Sequence, residues 1–329
     1  MNLPTVAVFS LGGTIAMSRG GGEGVVPALT GEVLVAAVPE LAVLARIRVT
    51  SFRSLPGAQL SFDDLIGLAG EIRRCLTEGC AGVVVTQGTD TLEETAFALD
   101  LMVEGDAPIV VTGAMRNPTL PGSDGPANLL AAVAVARSEA ARGLGTLVVM
   151  NDEIHAARFV QKTHTASPAA FASGASGVLG WLAEGSPRIV LRPPRGPRLT
   201  PSAEASETAV ALLTTVLGDD GRLIASAAAG YAGLVVEALG GGHVPQAAAD
   251  ALEAAARRIP VVFASRTGRG EVLARTYGFP GSEIDLQRRG LIRAGWLDGP
   301  KARVLLTLLL RTEHDVPGIR RQFEAFGGG

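Results

Sequence analysis

Short valine-rich runs alternate along the chain with alanine- and leucine-rich stretches of helical period, and this alternation constrains the fold more than any other feature. It predicts an α/β protein of stacked βα units around a mainly parallel sheet. Candidate strands run from Val6 to Leu11, Arg46 to Phe52, Gly82 to Thr86, Pro108 to Thr112 and Thr146 to Met150. Between them, Leu92, Ala96, Leu99 and Val103 keep helical spacing, as do Leu129, Val133 and Ala136.

A chain of 329 residues holds about two domains at roughly 100 to 200 residues each. Pro187, Pro193, Pro194, Pro197 and Pro201 crowd a stretch without period, which reads as a linker over 187–204. That places a larger α/β domain over 1–186 and a smaller one, with its own parallel sheet, over 205–329. In the second, Leu234 to Leu239 and Pro260 to Ala264 read as strands, and Ala247 to Arg257 and Lys301 to Leu310 as helices.

Composition excludes several function classes. No window approaches the roughly 20 apolar residues that cross a bilayer, so no membrane partner is expected. The run from Val6 is too short for a signal-peptide core and Arg19 follows it, so the chain is expected to begin near Met1 and stay in the cytoplasm. A net charge of −3 with no basic tract argues against nucleic acid. Cys75 and Cys80 match neither a redox pair nor a zinc site and are expected as two reduced thiols. His155, His164, His243 and His314 form no metal-ligand spacing, so no metal is expected. Gly12-Gly13-Thr14 after the first strand lacks the lysine of a phosphate loop and the third glycine of a dinucleotide fingerprint. No cofactor is expected.

What remains is a threonine at the carboxyl end of the first strand, where open α/β sheets place ligands, although a helix cap would also account for it. A second cluster, Thr86-Gln87-Gly88-Thr89-Asp90-Thr91, follows the strand ending at Thr86. Asp90 with Glu93, and Thr91 with Glu94, each fit a capping box, and taken alone that reading accounts for them. Lys162 stands out differently: with Lys301 it is one of the only two lysines among 29 basic residues. A chain that uses arginine everywhere else retains lysine where a compact amine able to lose its proton is needed. A threonine hydroxyl needs a neighbouring base to attack, and a desolvated lysine steered by a carboxylate supplies one. Thr14, Thr89, Asp90 and Lys162 therefore make a coherent hydrolytic set.

Leu11-Gly12-Gly13-Thr14-Ile15-Ala16 and Val85-Thr86-Gln87-Gly88-Thr89-Asp90-Thr91 together resemble the two signature segments of the bacterial-type asparaginase family, closest to its cytoplasmic type. Thr112-Gly113-Ala114-Met115-Arg116, Ser123 to Leu129, Asn151-Asp152-Glu153, Lys162-Thr163 and Lys301 to Leu306 extend the resemblance over most of the chain. It implies hydrolysis of L-asparagine to L-aspartate and ammonia without metal or cofactor, by a homodimer or homotetramer with sites at subunit contacts. It also implies that Thr14 is the nucleophile, that Thr89 helps hold the oxyanion or deliver protons, and that Asp90 binds the α-amino group and orients Lys162. Gly88 and Ala114 would flank the oxyanion pocket.

Three positions depart from the family pattern. The loop after the first threonine normally supplies a tyrosine, but Arg19 to Pro27 contains none and Val25 stands in its place; Glu23 is the candidate substitute. The substrate-carboxylate loop offers only the backbone of Gly57 and Ala58, where a serine at 57 would restore a hydroxyl if the torsions allow it. His243 replaces an amide that reaches a neighbouring site. Two alternatives follow: an amidase for another amide, or a non-catalytic amino-acid-binding homologue. An amidotransferase subunit would need a further amino-terminal domain, for which a first strand at Val6 leaves no room.

Overall fold

A computed structural model describes residues 3–19, 25–27, 30–202, 204–205, 208–312 and 314–327. The chain separates into two compact units, Met1–Arg195 and Gly196–Gly329.

The strands of the first unit are β1 (Thr5–Ser10), β2 (Met17–Arg19), β3 (Val25–Pro27), β4 (Arg46–Ser51), β5 (Gly82–Thr86), β6 (Ile109–Thr112), β7 (Thr146–Met150), β8 (Glu153–Ala156), β9 (Gln161–Lys162), β10 (Phe171–Ala172), β11 (Gly180–Ala183) and β12 (Ser186–Ile189). Its helices are α1 (Gly31–Ala36), α2 (Leu41–Leu44), α3 (Phe62–Thr77), α4 (Leu92–Met102) and α5 (Gly125–Ala136). Eight strands form one sheet in the order β12-β11-β8-β7-β6-β5-β1-β4. The five from β7 to β4 are parallel, and β8, β11 and β12 extend them antiparallel.

Parallel strands covered on both faces read as unbroken apolar runs, and every residue of β5, Gly-Val-Val-Val-Thr, is buried. Val84 and Val110 share one core with Val6, Val8, Leu34 of α1 and Leu129 and Val133 of α5. Alternation turns Val83, Val85 and Val111 to the other face, where they are equally buried. The chain steps from β1 to β4 on one side, then places β5 on the other side of β1 and continues outward through β6 and β7. The carboxyl ends of β1 and β5 thus flank a topological switch point, the crevice where open α/β sheets bind ligands.

Two expectations require correction. Cys75 and Cys80 are joined as a disulfide with Cα atoms 5.8 Å apart. The cause lies in how α3 ends. Cys80 N–H donates to the Cys75 carbonyl and Gly79 N–H to that of Leu76, with Gly79 at φ 93°. These bonds define a Schellman motif, which brings the residues at C3 and C″ into contact, here the two cysteines. The stretch read as a linker from residue 187 also begins inside the first unit, because Pro187 lies in β12. As an edge strand β12 tolerates a residue without an N–H.

The second unit holds β13 (Val210–Thr214), β14 (Gly233–Ala238), β15 (Val261–Ser265) and β16 (Ile292–Arg293), parallel and in that order. Its helices are α6 (Arg222–Gly230), α7 (Gln246–Ala256), α8 (Glu283–Arg288), α9 (Gly299–Leu310) and α10 (Val316–Gly327). Leu234, Val236 and Phe263 pack with Ala248 and Leu252 in its core. Lys301, only 1% exposed in α9, is paired through Nζ with the N-cap residue Asp298 at 3.0 Å.

Candidate active site

Thr14 opens a short 3₁₀ turn after β1, and Thr89 and Asp90 open another after β5. The two segments touch through glycine. Gly13 sits at φ 82°, and a Cβ there would overlap the backbone of Gly88. Glycine alone accepts both that conformation and that approach. A third segment, Gly57–Gln59, closes against the same point: a Cβ on Gly57 would stand 3.0 Å from the Gly88 carbonyl oxygen. Thr91 ties this segment down by donating its hydroxyl to the Gly57 carbonyl at 2.9 Å. Gly113, next to Ala114, backs onto the Gln87 carbonyl and the Thr89 methyl group. Thr14, Gly57, Ala58, Gly88, Thr89 and Ala114 therefore belong to one cluster of strand ends and turns.

Lys162 reaches this cluster from β9, a two-residue strand paired only with β10. Its Nζ donates to Thr89 Oγ1 and to Asp90 Oδ1, both at 2.9 Å. The lysine side chain is 16% exposed while that of Asp90 is 68% exposed. One member of the ion pair is shielded and the other faces solvent, open to a ligand's cationic group. A lysine in hydrogen-bond contact with a threonine hydroxyl has the geometry to take that hydroxyl's proton once neutral.

The capping reading of Asp90 to Glu94 does not hold. Thr91 occupies the N-cap of α4 without a side-chain capping bond. Thr91 bonds Gly57, Asp90 bonds Lys162 Nζ, and Glu93 Oε2 accepts the backbone N–H of Lys162 at 2.7 Å. The side chains of Asp90, Thr91 and Glu93 are turned to the cluster instead.

Ala114 is positioned by hydrogen bonds to the residues on either side of it. Asp124 accepts N–H bonds from Met115 at 3.0 Å and Arg116 at 2.8 Å, and the Asn128 amide donates to the Gly113 carbonyl at 3.0 Å. Of the Arg19 to Pro27 segment, Arg19 ends β2 and Val25–Pro27 form β3, antiparallel to it with Val25 opposite Arg19. Glu23, the suggested substitute for the missing tyrosine, lies outside the described residues.

His243 belongs to the second unit and makes its contacts there. Its Nε2 is 3.3 Å from Glu283 Oε2, and its ring packs edge-on to Tyr277 and Phe279 at centroid distances of 4.9 and 5.1 Å. Burial disfavours the Glu283 anion, yet the amides of Tyr277 and Thr276, donating at 2.6 and 2.8 Å, outweigh it and hold the carboxyl below its ordinary value. Glu283 and Glu93 both escaped the sequence reading. Glu93 was hidden by a local capping explanation, and Glu283 had no motif around it. Among the described residues no group of His, Cys, Asp and Glu is arranged to hold a metal ion, and no helix is long and apolar enough to cross a membrane.

Comparison with known proteins places this geometry in a family. Residues 5–195 match the family model for the asparaginase N-terminal domain, and residues 209–323 that for the glutaminase/asparaginase C-terminal domain. The chain is 34% identical to L-asparaginase of Bacillus licheniformis, over 97% of this chain and 98% of that protein. It is 33% identical to L-asparaginase 2 of Escherichia coli, over 98% and 94%. The crystal structure of a Campylobacter jejuni protein, described as a probable cytoplasmic L-asparaginase, superposes with a TM-score of 0.87 at 32% identity, covering 98% of this chain and 99% of that one.

Proposed function

The chain belongs to the asparaginase family, and from that membership we propose that it hydrolyses L-asparagine to L-aspartate and ammonia with Thr14 as nucleophile. The observation that carries the reading is Lys162 Nζ, bonded at once to Thr89 and Asp90 beside the Thr14 turn, at the switch point of the sheet.

In this reading Asp90 takes the α-amino group and the turns that follow β1 and β5 take the side-chain amide. Thr14 Oγ adds to the amide carbon, and its proton leaves toward the Thr89–Lys162 relay. The developing oxyanion is met by backbone groups around Gly88 and Ala114, fixed donors that strengthen where charge accumulates. Collapse expels ammonia with a relayed proton and leaves an aspartyl ester on Thr14. Water, deprotonated by the same relay, attacks that ester and returns Thr14 Oγ–H.

The α-carboxylate side rests on Gly57 and Ala58, which present only backbone. That observation favours a second reading, in which the same machinery accepts an amide lacking a free carboxylate. Cytoplasmic residence is supported by the description of the Campylobacter jejuni relative. Assembly as a homodimer or homotetramer rests on the family resemblance.

Ammonia release from L-asparagine by the wild type and by Thr14→Ala tests the assignment. Loss of a nucleophile removes roughly three or more powers of ten in rate. The variant should fold and assemble normally and release almost no ammonia, and retention of a tenth of wild-type activity would remove Thr14 from this role. Release from a carboxylate-blocked asparagine at a rate exceeding that from L-asparagine would select the second reading.

A further inference from the structure

Lys162 is held at two points, and both belong to the same short stretch, 89–93, around the start of α4. Thr89 and Asp90 take its Nζ, while Glu93 Oε2 takes its backbone N–H at 2.7 Å. We infer that Glu93 is a positioning residue, which sets how far the Lys162 amine reaches toward Thr89.

The need for such a tie follows from the strand that carries the lysine. β9 is outside the eight-stranded sheet, and its pairing with β10 spans only Lys162 to Phe171 and Gln161 to Ala172. A two-stranded ribbon of that length does not hold itself rigid in water. Lysine adds a flexible four-carbon stem, so its ammonium is poorly placed unless the backbone beneath it is fixed. The His155–Ser173 contact at 2.9 Å tethers the far end of the ribbon to β8, and Thr163 donates its N–H and hydroxyl to the Ala170 carbonyl at 2.7 and 3.0 Å, but these bonds act within the ribbon or beyond β10 and do not refer the Lys162 peptide to α4. Glu93 acts at the lysine's own peptide, and it does so from the helix whose preceding turn presents the two acceptors of Nζ. Base, relay hydroxyl and steering carboxylate are thereby referred to one rigid element. Charge-assisted hydrogen bonds of this kind are short and directional.

The alternative role for an acidic residue in a helix's first turn is to complement the helix dipole, for which charge near the terminus suffices and exact reach does not matter. The two roles call for opposite substitutions. Glu93→Gln keeps the length and an acceptor oxygen but loses the charge. Glu93→Asp keeps the charge but is one methylene short of the Lys162 amide.

The inference rests on the Thr14 and Lys162 mechanism proposed above, so Thr14→Ala is measured alongside as the control for that mechanism. Steady-state kinetics on L-asparagine should show Glu93→Asp with kcat lowered roughly ten- to a hundredfold, the loss expected of a catalytic group displaced by about 1 Å. Its KM should change little, because the bond of Glu93 is to the Lys162 peptide and not to the Asp90 carboxylate, and Glu93→Gln should keep kcat within about threefold of the wild type, both with unchanged melting temperature. Retained kcat in the aspartate variant, or a loss in the glutamine variant as large as that in aspartate, overturns the positioning role. An active Thr14→Ala enzyme overturns the underlying mechanism instead, and the two failures are told apart by which variant produces them.

Discussion

Gly57 stands where a substrate-side hydroxyl is expected, and the obvious repair is Gly57→Ser. Its backbone is not at positive φ, so torsion alone does not forbid a side chain. The obstacle is contact: the new Cβ would press on the Gly88 carbonyl oxygen at 3.0 Å, and Gly88 has Gly13 packed behind it. A backbone wedged on two sides does not yield by rotating a side chain, so strain passes to the turn carrying Thr89. The expected result is a kcat/KM for L-asparagine reduced roughly tenfold, in line with the cost of sub-ångström misplacement, with no gain in KM. A lower KM at unchanged kcat would mean that the Gly88 turn gives way freely. The same residue-scale logic separates what was legible from what was not. Thr14, Thr89 and Lys162, the residues of the proposed relay, are singled out by signature segments and lysine scarcity. Glu93 does not, because a first-turn carboxylate already has a sufficient local explanation, and only its bond to a residue 69 positions away reveals another.

Among elements, those with strong period were readable to within about a residue or two. β5 and β7 match their expected spans, α9 contains its expected stretch, and α4 contains Leu92, Ala96 and Leu99 of its stripe, with Val103 at its C-cap. Both faces of β5, β6 and β7 are buried, so valine follows valine and the signal is unmistakable. The antiparallel extension was missed. β8 reads Glu-Ile-His-Ala and β12 reads Ser-Pro-Arg-Ile, four residues each with mixed polarity: β12 is a partly covered edge strand, and in β8 a buried histidine breaks the apolar run. The disulfide at the end of α3 was missed for another reason. A five-residue separation looks uninformative until Gly79 is seen as the left-handed residue of a helix stop, which folds the two positions together.

At the scale of the whole molecule, stability and reactivity depend on a few buried groups. His155, buried in β8, has its imidazole pushed by desolvation from an ordinary 6.5 down to about 4, and the Glu153 carboxylate 3.4 Å away does not offset that burial. The unfolded chain therefore binds a proton that the folded protein refuses between those values, and stability falls as pH drops through that window. Linkage puts the loss between pH 7 and 5 at about 2 kcal/mol. Urea unfolding at the two pH values should show His155→Gln losing about that much less than the wild type, and equal losses would contradict the role given to His155. The two lysines differ in a way that matters beyond catalysis. Lys301 is sealed against Asp298 at 1% exposure, whereas Lys162 keeps 16% of its side chain open. Apart from the amino terminus, an amine-directed acylating reagent thus has a single accessible target in the native protein, and labelling followed by peptide mapping should find the modification on Lys162 in proportion to the activity lost. A chain that has given up lysine almost everywhere has made its proposed base the natural attachment point for a covalent probe.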